Sequence, residues 1–130
     1  MLDVDREAPE LRALATYYAG RGGACWVAGE VDGMVATVPE AAGAWEICRV
    51  YVHPELHGAG LGQRLLDVAE AHAMAAGADA LVLWTDTRFH RAHRFYEKHG
   101  YARTGETREL HDLADTVEYR YAKAVSGGPR

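Results

Sequence analysis

The chain has 130 residues, a length for one domain, and its 48% hydrophobic content is enough to fill a single core. A formal net charge of -5 with a pI near 5.8 gives no overall basic field for a nucleic-acid backbone and favours cationic partners instead. No apolar run approaches the ~20 residues of a membrane span. Asp3, Asp5, Arg6 and Glu7 do not form a signal-peptide pattern, so a soluble, cytoplasmic protein is expected.

In chain order, Asp5 to Ala19 reads as a helix. Asp5 or Asp3 caps it, Leu11, Leu14, Ala15 and Tyr18 recur at helical spacing, and Gly20, Gly22 and Gly23 end it. Ala24 to Gly29 and Met34 to Val38 predict an antiparallel pair turning through Asp32-Gly33. Pro39 to Gly43 is expected as a loop, and Ala44 to Val52 as a strand that stops at His53-Pro54. Cys25 and Cys48 sit in apolar runs and read as buried reduced thiols rather than a disulfide.

Leu61, Leu65, Leu66, Val68, Ala69, Ala73 and Ala76 mark an amphipathic helix stopped by Gly77. Ala80 to Thr85, apolar without alternation, predicts a central strand covered on both faces. Strand, helix and strand form a right-handed parallel unit. A short helix to about His99 ends at Gly100, and Tyr101 to Thr104 and Thr116 to Ala122 are the last strands. The domain is expected over 1–125, with 126–130 a frayed tail.

The most informative stretch joins the strand ending at Val52 to the helix from Leu61 through His57-Gly58-Ala59-Gly60-Leu61-Gly62. Glycines at alternate positions let the backbone turn tightly and lie against a ligand, and the helix aims its unpaired N–H groups and positive dipole end at the same point. An anion, in particular a phosphate or pyrophosphate, suits such a junction. The dinucleotide fingerprint is absent, because Gln63 stands where its third glycine belongs, and no Gly-Lys-Ser/Thr P-loop occurs.

This stretch resembles motif A of the GCN5-related N-acetyltransferases (GNAT), Arg/Gln-x-x-Gly-x-Gly/Ala after a strand, with His57 in place of the Arg or Gln. A second segment, Ala92-His93-Arg94-Phe95-Tyr96-Glu97-Lys98-His99-Gly100-Tyr101, is similar to the family's Ala-x-x-Phe/Leu-Tyr-Glu-Lys-x-Gly-Phe/Tyr. The resemblance covers about residues 24 to 123. It implies a mixed α/β (α+β) fold: a mostly antiparallel sheet with a central splayed parallel strand pair, flanked by helices on both faces.

It further implies acetyl-CoA as co-substrate and direct attack by a primary amine in a ternary complex. The backbone of Val50, Tyr51 and Val52 would pair with pantetheine, one of these amides polarising the thioester carbonyl, and amides from His57 to Gly62 would hold the pyrophosphate. An imidazole pairs with an anion only when protonated, so this cradle relies on backbone amides more than its relatives do. Tyr96, a phenol protonated at neutral pH, is the expected acid for the leaving thiolate, and Glu46 or ordered water the base.

The family often has Asn seven residues before this Tyr, on the pantetheine arm; Phe89 occupies that place, and Arg88, His90 or Arg91 could reach the cofactor instead. Glu109, Asp112, Asp115 and Asp86 are candidates for attracting a cationic acceptor. The acceptor is expected to be an amine, small molecule or peptide, with no nucleic acid and no membrane among the partners. Family members usually open with an additional strand and two helices, of which one helix is clear here, so an abridged acceptor wall completed by a homodimer is expected. No metal site is expected: His90, His93 and His99 do not share one face, and no ligand set completes them. A catalytically weak acyl-CoA-binding or sensing module is the alternative, favoured by His57 and Phe89.

Overall fold

The computed structural model describes residues 22–28, 32–41, 43–58 and 60–125. The helix expected over Asp5 to Ala19, Glu30 and Val31 of the first turn, Ala59 and the tail 126–130 lie outside the described residues.

The elements in order are β1 (Ala24–Ala28), β2 (Gly33–Ala41), β3 (Ala44–Val52), a 3₁₀ turn (Pro54–Leu56), α1 (Leu61–Ala75), β4 (Ala80–Asp86), α2 (His90–Lys98), β5 (Ala102–Glu109) and β6 (Val117–Ala124). They build a six-stranded sheet in the order β1-β2-β3-β4-β6-β5. β3 and β4 run parallel, and the other neighbouring pairs are antiparallel. The mixed, mostly antiparallel sheet is the architecture the resemblance implies, and the described helices α1 and α2 both cover one of its faces.

Leu61, Leu65, Leu66, Ala69 and Ala73 bury one stripe of α1, while Val68 turns outward. Gly77 at φ +97° ends this helix, with the Ala78 N–H donating to the Ala73 carbonyl and Gly77 to Met74. Gly100 at φ +95° ends α2 in the same way, through Tyr101 to Tyr96 and Gly100 to Glu97. Both helices join one core with Val35, Ile47, Leu81, Leu83 and Tyr121 from the sheet. On the opposite sheet face Cys25, Val27, Ala36 and Val38 form a second buried cluster, with Cys48 packed against it.

Two boundaries differ from expectation. β2 runs through Pro39 to Ala41, where a loop was predicted, because Pro39 pairs with Trp45 beside a register shift at the hairpin end. β5 reaches Glu109 rather than Thr104, held by β6 across a second register shift, although all its residues are exposed.

The feature that positions the site is a break in pairing. β3 and β4 are in register over Ala44↔Ala80, Trp45↔Leu81 and Glu46↔Val82, and no partners follow, although β3 continues to Val52 and β4 to Asp86. One extra residue in β3, between the Met34↔Tyr51 and Ala36↔Cys48 pairs, keeps Val50 and Val52 on the same face as Trp45 and Ile47. The strands therefore part above Glu46 and leave an opening through the sheet.

Candidate active site

Below the end of β3 the chain turns through Pro54–Leu56, with the Leu56 N–H on the His53 carbonyl at 2.8 Å. Gly58 and Gly60 follow at φ +87° and +84°, a region that strains any side chain. A Cβ built at either meets nothing within 4 Å, so the loop fronts open space. α1 starts directly after Gly60 with no capping side chain and no acidic residue in its first turn. Its first N–H groups and dipole are thus left for a ligand.

That space is a cavity of about 790 Å³. Val50, Val52, His57, Gly58, Gly60 and Gly62 line it from the strand and loop. Arg88, Phe89, His90 and Arg91 line it from the start of α2, so the three candidates to replace the missing Asn all face this space. Two other expected cofactor residues do not line it: Leu61 is buried in the core, and Tyr51 is exposed. The His57 ring folds back, its Nε2 donating to the Val52 carbonyl at 3.0 Å.

A second cavity, of about 290 Å³, lies at the opening between β3 and β4. Val50, Phe89, Ala92 and Tyr96 line both cavities. From the face that carries the helices come Ile47 and Thr85; from the opposite face come Cys48, Trp84, Asp86 and Glu118. The two spaces meet at Tyr96.

Tyr96 is 7% exposed, and its ring packs against Phe95, Tyr101 and Tyr121. Burial pushes the phenol up to about 12, so it holds its proton at neutral pH. Two ties orient the helix that carries it. His93, buried and stacked on Tyr121, donates from Nε2 to the Asp86 carbonyl at 2.8 Å. Glu97 accepts from the Tyr121 hydroxyl at 2.8 Å, and that oxygen accepts from Arg103 Nε at 2.9 Å.

The expected carboxylates separate in the structure. Asp86 is gripped by Arg88 through Nε (2.9 Å), an NH2 (2.7 Å) and the backbone N–H (2.8 Å), which hold its carboxyl down at about 2. Asp112 accepts from the Thr116 N–H and hydroxyl, which depress its carboxyl too and fold the loop before β6. Glu46 pairs with Val38 and Val82 in the sheet, and its charge acts on Arg120; it lines neither cavity. Sequence reasoning missed Trp84, Thr116 and Glu118, which do line the second one. For Glu118 the signal is the alternation of β6, which puts it on the face opposite Tyr119 and Tyr121.

Among the described residues no group of three or more His, Cys, Asp or Glu could hold a metal ion, and no helix is long and apolar enough to cross a membrane.

Residues 21–103 match the family model described as the acetyltransferase (GNAT) domain. The chain belongs to the GNAT family. Over 78 residues the GNAT chain is 37% identical to the aminoalkylphosphonate N-acetyltransferase of Salmonella typhimurium, a match covering 56% of this chain and 51% of that protein. It thus spans about half the length of that curated relative. An acetyltransferase from Streptococcus agalactiae superposes with a TM-score of 0.74 at 24% identity, over 89% of this chain and 75% of that one. A GNAT family acetyltransferase from Elizabethkingia anophelis with acetyl-CoA bound gives 0.71 at 19%, over 91% and 86%. At these identities the two structures establish that the GNAT fold is shared.

Proposed function

We propose that this GNAT domain transfers an acetyl group from acetyl-CoA to a primary amine, the amine attacking directly in a ternary complex. The observation that carries the reading is the meeting of two cavities at Tyr96. One is large enough for a cofactor-sized ligand, the other suits a small amine or a single side chain. Direct transfer requires the donor carbonyl and the acceptor nitrogen to enter from separate sides and meet at one point.

The residues present fit acetyl-CoA as a substrate. The open glycines Gly58 and Gly60 and the uncapped start of α1 suit a pyrophosphate. The edge of β3 beyond Glu46 is left by β4, so its backbone groups can pair with the amides of pantetheine. Because the His57 ring is engaged by the Val52 carbonyl, the backbone amides supply the anion contacts. Arg91 and Lys98 add positive charge on the facing wall.

Tyr96 donates a hydrogen bond to the departing sulfur. Full loss of its proton, with the phenol at about 12, to a thiolate of pKa ~8.5 is uphill by about 5 kcal/mol. The proton reaching sulfur therefore comes from the acylated nitrogen, with Tyr96 as the bridge. Acetyl-CoA binding without turnover is the second reading, favoured by Phe89, which is 60% exposed where an amide side chain would serve the pantetheine arm.

One experiment separates them. The protein is offered acetyl-CoA with polyamines, amino acids, aminoglycosides, peptide N-termini and an aminoalkylphosphonate, the last chosen from the name of the Salmonella relative. Free CoA thiol is followed. Release with at least one amine supports the transferase. A rise in melting temperature with acetyl-CoA but no thiol with any amine supports the binding module.

A further inference from the structure

We infer that Glu118 is the residue that seats the acceptor's ammonium group and takes its proton; this rests on the acetyl-transfer reading above. The second cavity, which shares Tyr96 with the first, is lined by two carboxylates, Asp86 and Glu118. They are direct cross-strand partners of β4 and β6 and so stand side by side on one sheet face.

Their partners make them unequal. Both Asp86 oxygens are taken, Oδ1 by Arg88 Nε and the Arg88 N–H, Oδ2 by the Arg88 NH2. It is held as an anion by Arg88, with each oxygen already engaged. Glu118 accepts from Arg108 Nε on Oε1 at 2.7 Å, and its Oε2 has no hydrogen-bond partner among the described residues. The Arg108 side chain is 44% exposed and that of Glu118 is 16% exposed. Such a half-exposed ion pair is weak enough for an incoming ammonium to share or replace it.

The remaining charges around this face are paired elsewhere. Arg120 bonds Glu40 at 3.0 Å and approaches Glu106 at 3.4 Å, with Glu46 acting on it electrostatically. Trp84, on the same face, completes the wall, with the Arg108 guanidinium 4.4 Å from its ring centroid. Asp86 and Arg88 cancel, so Glu118 Oε2 is the acceptor position this cavity offers a cation.

The ammonium gives one proton to Glu118 Oε2. The freed nitrogen lone pair attacks the thioester carbonyl carbon, forming C–N as the C=O electron pair moves to oxygen. Return of that pair breaks C–S, and the sulfur receives the surplus nitrogen proton by way of Tyr96. Glu118 then passes its proton to water. The products are the amide, the CoA thiol and one proton.

The test uses wild type, Glu118→Gln and Glu46→Gln with an amine that yields CoA thiol, reading kcat and KM for the amine beside acetyl-CoA affinity and melting temperature. Glu118→Gln is expected to raise the amine KM and lower kcat, for a combined loss of about 100-fold in kcat/KM. Its acetyl-CoA affinity stays within about twofold, and Glu46→Gln, the rival base, loses less in kcat/KM than Glu118→Gln does. Glu118→Asp, which keeps the charge, should recover about a tenfold share and serves in its place if Glu118→Gln fails to fold. An active wild type with Glu118→Gln within about threefold of it overturns the inference and leaves the transferase reading standing. A loss shared equally between amine and acetyl-CoA parameters also overturns it. A wild type that binds acetyl-CoA yet releases no thiol with any amine overturns both.

Discussion

The two halves of the β3–β4 pair make opposite uses of the same strands. Over Ala44–Glu46 and Ala80–Val82 they form a ladder, with Leu81 sealed in the core. Beyond Glu46 and Val82 they part, and the side chains that would have met one another line cavities instead. Pairing satisfies backbone groups internally and returns stability, whereas parting leaves them for a ligand. Substitutions in the paired half should thus act on folding and those in the parted half on binding and turnover.

The largest expected effect tests the paired half. Leu81→Ala removes a fully buried side chain and should cost about 3 kcal/mol in urea unfolding, with acetyl-CoA affinity per folded molecule unchanged. A loss of affinity with stability kept would dissolve the division between the halves.

Next in size is Tyr96→Phe at the meeting point. The ring contacts remain, so the melting temperature should move by no more than about 2 °C, while kcat falls about 100-fold with acetyl-CoA binding nearly intact. Unchanged turnover would remove Tyr96 from the reaction.

Gly60→Ala probes the loop below the opening. Its φ of +84° disfavours any Cβ by about 1 kcal/mol, and the added methyl projects into the space kept open for the ligand. Acetyl-CoA affinity, read by titration calorimetry, should weaken about tenfold. Gly62→Ala has a helical position and ordinary contacts to Val52 and Phe95, so it is expected to be milder.

The smallest effect concerns Asp86 at the rim. Its carboxyl lies at about 2 in the fold, below the usual carboxylate range, because Arg88 grips it. A depressed carboxylate contributes stability that is complete above the unfolded pKa and is lost as pH falls through the folded one. With Arg88 57% exposed, the contribution is about 1 kcal/mol. Asp86→Asn should be less stable than wild type by that amount at pH 6, and the gap should close below pH 2. A gap that persists there would assign the difference to packing.

Much of this was legible before any coordinates. The strand Ala44–Val52 and the helix from Leu61 were predicted at their observed starts, and Gly77 and Gly100 act as helix stops because only glycine is at ease at their positive φ. Tyr96 was singled out from its motif. β5 was underestimated because an exposed edge strand has no buried face and hence no alternation to read. The extension of β2 through Pro39 was missed because the tolerance of an irregular hairpin end for proline is a property of the pair.

The carboxylates show the boundary most clearly. The resemblance implied Glu46 as the base; in the fold it shares the sheet face of Trp84, Asp86 and Glu118 but sits in the paired half of β3, where it lines neither cavity. Local pattern by itself determined the elements, the glycine turn and the tyrosine, because periodicity, caps and positive φ are properties of neighbours in the chain. Tertiary structure alone decided where β3 leaves β4, and that Asp86 and Glu118 share one cavity across two strands with only Asp86 fully engaged. Strand register and ion-pair choice join residues far apart in sequence, and no local spacing encodes them.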